Sequence, residues 1–155
     1  MALRFFKNAF RDLFSPESTE SSPRTTSERS PDDEITRFIF WAKHFSRLKS
    51  EVKHRAFEPP PDLKLSVFRI TGLTDPEAWI LGRYIEDPPE RVVQARADIA
   101  RQNIVRHGLR VEPDEPPMRH HLIVDWPLEK DARISIAQQM AADAVLRLPA
   151  DELPL

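Results

Sequence analysis

Pro116-Pro117-Met118-Arg119-His120-His121-Leu122-Ile123-Val124-Asp125-Trp126-Pro127 is the stretch on which the reading of the fold turns. The proline pair holds the chain extended, because each ring fixes φ and disfavours a helical residue before it. Leu122, Ile123 and Val124 then have the composition of a buried strand, and Pro127 suits the first turn of a helix. The stretch predicts a strand over 120–126, with polar side chains at its entrance and core in its body.

Working outward, a helix over 127–147 is expected next, with Ala137, Met140, Ala141, Ala144, Val145 and Leu148 at helical spacing. Upstream, Leu109-Arg110-Val111 reads as a short strand and Gly108 as a left-handed turn residue. Asp98 is placed to cap a helix through Ile99–His107, and Val92–Ala97 to form a strand before it. Thr74-Asp75-Pro76-Glu77 is a capping box with proline in the first turn, opening a helix over 75–86 that Asp87-Pro88-Pro89 stops. Alternation predicts a strand over 63–70, and β-branched and aromatic residues an interior strand over 35–41. Residues 42–58 fit either a short helix over 45–54 or an irregular loop. The expected fold class is α+β: one compact domain over 34–150, about five strands and three helices, with a tail over 151–155.

Two segments precede this domain. Residues 1–14 read as an amphipathic helix with Leu3, Phe6, Phe10, Leu13 and Phe14 on one stripe and a net charge of +2. That stripe is too apolar to leave in water and is expected to dock on a partner protein or a membrane surface. Residues 15–33 hold six serines, three threonines and three prolines and no aliphatic or aromatic residue, the composition of a disordered linker.

Composition narrows the function classes. The chain has 155 residues, a net charge of −2 and no cysteine. The absence of thiols excludes disulfides, thiolate zinc sites and a cysteine nucleophile. A near-neutral balance argues against a generic nucleic-acid ligand. Three glycines against fifteen prolines leave no Gly-rich phosphate loop. The five histidines lack metal-site spacing, so no metal or cofactor is expected. There is no GxSxG elbow for a serine hydrolase.

The remaining site chemistry is cationic. Strand alternation sends His120 and His121 to opposite faces and places Arg119 with His121. An arginine fork beside an imidazole can hold an anion or move a proton, which makes Arg119 and His121 the catalytic candidates. Arg119 pairing with Asp114 or Glu115 is the structural alternative. Arg69 and Arg96 end neighbouring predicted strands, so Arg69, Arg96, Arg119 and His121 form the candidate ligand-binding set. The functional expectation is a small cytoplasmic interaction or accessory protein, peripheral to a membrane if the first helix binds lipid. Its helix docks on one partner and its domain on a second, anionic one. The alternative is a small enzyme or ligand-binding domain for a phosphate- or nucleotide-bearing molecule, in a toxin or effector context.

Overall fold

The computed structural model describes residues 33–149. The helix expected over 1–14, nearly all of the linker expected over 15–33, and the tail lie outside the described residues. The domain is mixed α+β. In chain order it contains β1 (Glu34–Ile39), a 3-10 turn (Ala42–His44), β2 (Phe45–Ser46), β3 (Glu51–Val52), a second 3-10 turn (His54–Phe57) and β4 (Leu65–Arg69). Then follow α1 (Asp75–Tyr84), β5 (Ala95–Ala100), α2 (Gln102–Val105), β6 (Arg110–Pro113), β7 (His120–Val124), α3 (Lys130–Asp143) and β8 (Val145–Arg147). Six strands form one antiparallel sheet in the order β6-β7-β4-β1-β5-β8, and β2 and β3 form a separate small hairpin. Among the described residues the expected five strands thus become eight, with the expected three α-helices.

The register explains the layers. Ile35 opposes both Arg69 and Ile99, and Leu65 opposes Ile123, so these residues share one face. That face carries the larger core, where Phe45, Val52, Phe57, Ile104, Ala137 and Met140 cover the sheet. The opposite face carries Phe38 and Phe68, covered by Ala78 and Leu81 of α1. The two rings meet edge to face at 5.5 Å. A Cβ at Gly82 would lie 2.7 Å from Phe38 Cε1, so the missing side chain lets α1 press against β1.

Several expectations hold. β1 is interior, between β4 and β5. Thr74 Oγ1 accepts from the Glu77 amide at 3.3 Å and Glu77 accepts from the Thr74 amide at 2.9 Å, completing the capping box. Gly108 has φ +84° and Trp126 is buried.

Other expectations are corrected. Asp98 is not a helix cap: it lies inside β5, which runs from 95 to 100 because the β1 ladder pairs all six residues. The helix expected beyond it shrinks to Gln102–Val105. The final helix stops at Asp143, and Val145–Arg147 instead pair with Arg96–Asp98 along the edge of β5. Backbone groups left open on that edge gain partners this way, which a longer helix would forgo. β1 ends at Ile39, so Trp41, at the end of the interior strand expected over 35–41, lies beyond it and is 52% exposed. Residues 42–58 are neither a helix nor a structureless loop but a hairpin between two 3-10 turns.

Candidate functional site

The entrance of β7 gathers much of the domain's polar chemistry, and it splits by face. On the larger-core face, Val67 opposes His121, so Arg69 and His121 both lie there. Arg69 Nη2 meets Asp33 Oδ1 at 3.2 Å, Thr71 Oγ1 donates to the same oxygen at 3.3 Å, and Arg101 approaches Oδ2 at 3.7 Å. Asp33 is 1% exposed. The carboxylate that composition assigned to the end of the linker therefore anchors two arginines of the domain.

Arg119 has φ +69° and precedes β7. Its guanidinium donates to the carbonyls of Arg69 and Thr71 at 3.0 and 3.1 Å, while its amide donates to Glu115 Oε2 at 2.9 Å. Burial and the neighbouring Arg69 push its pKa below the usual arginine value, against Glu77, Glu115 and Asp33. His121 Nδ1 lies 3.0 Å from the Arg119 carbonyl, which can only accept, so Nδ1 carries the proton and Nε2 the lone pair. Three of the four expected ligand-binding residues, Arg69, Arg119 and His121, are thus neighbours, joined by Arg101. Arg96 is not among them, because β5 turns it to the other face opposite Phe38.

Burial lowers the His121 pKa from 6.5, and Arg69 and Arg101 lower it further, against the Arg119 carbonyl and Glu115. The native state therefore resists a proton that the unfolded chain accepts. Stability is full above pH ~6.5 and falls as pH drops through that value. The pKa values of His44 and His107 are also lowered, so they act in the same direction. The expected result is a melting temperature that decreases from pH 7.5 to 5.0, with a shallower decrease in His121→Gln. Equal slopes in the two proteins would remove His121 as a contributor.

On the other face stand two further arrangements. Arg96 is clamped by Asp98, Nε to Oδ1 at 3.0 Å and Nη2 to Oδ2 at 3.2 Å, and by Asp75 Oδ1 at 2.9 Å. It stacks on Trp79 at 4.8 Å, whose indole donates to Asp75 Oδ2 at 3.2 Å. Beside this clamp a groove of about 450 Å³ runs between α1 and the sheet edge. Pro76, Trp79, Ile80, Val92, Val93 and Pro149 supply its apolar lining, and Asp75, Glu86 and Arg83 its polar groups.

The second arrangement is a polar row. Ser66 Oγ lies 2.6 Å from His120 Nε2, and His120 Nδ1 lies 2.9 Å from the Asp114 carbonyl and 3.2 Å from Asp114 Oδ2. Sequence reasoning missed all three as a unit. The available signal was alternation: Ser66 and His120 are both polar positions on the same face of their strands.

Among the described residues no cluster of three or more histidines and acids is arranged to hold a metal, and no helix is long and apolar enough to cross a membrane. No family model matches the chain, and no curated protein or solved structure matches it.

Proposed function

We propose that this chain is a small interaction protein whose domain receives an apolar segment of a partner in the groove beside α1. The groove itself is the observation that carries the reading. It presents an indole, three aliphatic side chains and two prolines in one concavity, the usual makeup of a pocket for an anchoring side chain. Asp75, whose side chain is 57% exposed, and Glu86 favour an anchor flanked by a basic residue. The Phe-rich residues 1–14 supply a second, separate docking element.

Affinity purification with mass spectrometry tests this with two full-length variants. Ile80→Glu places a charge in the groove and is expected to reduce recovery of one partner at least tenfold, with the other partners unchanged. Phe6→Glu with Phe10→Glu is expected to deplete a different set, or to abolish flotation with liposomes where the first segment binds lipid. An Ile80→Glu protein that folds normally and recovers every partner would end the groove reading.

The ligand-binding alternative rests on the convergence of Arg69, Arg101, Arg119 and His121 at the entrance of β7, where Asp33, Glu115 and Glu77 also act on the group. A phosphate- or nucleotide-bearing ligand that raises the wild-type melting temperature, and fails to in an Arg119→Ala, His121→Ala protein, would favour it over the adaptor reading.

A further inference from the structure

The geometry points to Ser66 as an activated nucleophile for acyl transfer, with His120 as its base and Asp114 as the residue that positions the imidazole. The elements come from three separate parts of the fold. Ser66 sits on β4, His120 begins β7, and Asp114 follows β6. The register brings the first two together, because Ser66 opposes Leu122 and Phe68 opposes His120.

The tautomer follows from the partners. The Asp114 carbonyl, 2.9 Å from Nδ1, can only accept, so Nδ1 carries the proton. In the neutral ring Nε2 is then bare, and the Ser66 hydroxyl 2.6 Å away donates to it. This is the protonation state a general base needs before reaction. Asp114 Oδ2, 3.2 Å from Nδ1, then faces the imidazolium that forms when the proton moves. The residue is held in place twice more, once through its ring and once through its backbone. Phe68 packs edge to face against it at 5.1 Å, and the Asp114 amide donates to the His120 carbonyl at 2.9 Å. The His120 side chain is 12% exposed and that of Asp114 52%, so the row opens to solvent at its carboxylate end.

The step balances with an ester as substrate. Ser66 Oγ forms a bond to the ester carbonyl carbon while its proton passes to His120 Nε2. The C–O bond to the leaving alcohol then breaks, and the alkoxide takes the proton from Nε2. Water repeats the sequence on the acyl-serine, releasing the acid and returning the proton to Ser66. Ser66 lies in a strand ladder opposite Leu122 and not on a tight turn into a helix, the usual source of paired amides for a developing oxyanion. That restricts the substrate class to small esters with good leaving groups, and excludes amides.

The test uses the full chain, a fluorophosphonate probe and p-nitrophenyl acetate, with peptide mapping of the label. Wild type is expected to be labelled at Ser66. Ser66→Ala should abolish the label. His120→Gln should slow it roughly 100-fold or more, in line with loss of a general base. Asp114→Asn should slow it about tenfold and move the pH profile, and Asp114→Glu should restore both, which a purely structural Asp114 would not do. Label on another residue, or an undiminished rate in folded His120→Gln, would overturn the assignment. If Ser66→Ala or His120→Gln fails to fold, Ser66→Cys replaces them. Its thiol should alkylate with iodoacetamide faster than the same cysteine paired with Asp114→Asn, and equal rates would also overturn it.

Discussion

Asp98→Ala is expected to cost about 3–5 kcal/mol, the range for removing one partner of a buried ion pair. Arg96 is 4% exposed and Asp98 6%, and they meet through two parallel contacts. Truncating the carboxylate leaves the guanidinium with Asp75, whose side chain is 57% exposed and whose charge is therefore screened by water. Arg147, 3.4 Å from Asp98 Oδ2, loses its partner too, though at 53% exposure that adds little. Against a total stability of about 5–15 kcal/mol for such a domain, the loss brings the protein close to unfolding at 37 °C. Two comparisons separate this account from a general sensitivity of the region. Asp75→Ala removes only the exposed partner and should cost far less, about 1 kcal/mol. Replacing both members, Arg96→Met with Asp98→Leu, should recover most of the loss, because no uncompensated charge is then buried. Urea midpoints at constant slope check all three. An Asp98→Ala midpoint no lower than that of Asp75→Ala would show that the clamp contributes nothing through burial.

The same pair shows where sequence reasoning stops. Period-two alternation correctly puts Arg96 and Asp98 on one face of a strand. Read locally, Asp98 fits a helix N-terminus, because the run 99–107 after it reads as a helix, while the ladder makes 98–100 strand. Only the ladder with β1, which pairs Glu34 with Ala100 through to Ile39 with Ala95, decides between them, and that is a contact across about sixty residues of chain. Local signals with their own chemistry fared better. The Thr74–Glu77 box and Gly108 are set by interactions within a few residues, so they were legible in full.

The site follows the same division. Proximity of Arg69, Arg119 and His121 could be read from strand ends, since all three flank the β4–β7 pair. Asp33, which anchors Arg69, could not, because it stands at the end of a segment whose composition gives no reason to bury it. The separation of Arg96 from the others depends on strand order, and β5 lies beyond β1 from β4. Ser66 and Asp114 carried no motif. Their contact with His120 depends on the β4–β7 register and on the loop joining β6 to β7.

The segment that no periodicity could assign leads to the other large effect. Phe57→Ala is expected to cost about 3–5 kcal/mol, the usual range for emptying a buried phenylalanine site. Phe57 is 0% exposed and closes a four-residue 3-10 turn between a two-stranded hairpin and the three prolines 59–61. Local contacts hold such a turn only weakly: it is too short to be stable alone, Lys53 offers no side-chain cap, and the His54–Glu58 contact at 2.6 Å is partly exposed. What holds it is the ring seated in the larger core with Ala137, Met140 and Ala141 of α3, and the Ala56 carbonyl, which accepts from Arg37 Nε at 3.0 Å. Removing the ring leaves a cavity that neither α3 nor β1 can fill without giving up its own packing. The control lies nine residues earlier: Leu48, 94% exposed at the tip of the hairpin, should cost within about 0.5 kcal/mol when changed to serine. Equal denaturation midpoints for Phe57→Ala and Leu48→Ser would mean that residues 42–58 are an appendage. A large gap would show that this segment, illegible by pattern, is core structure fixed by one aromatic side chain.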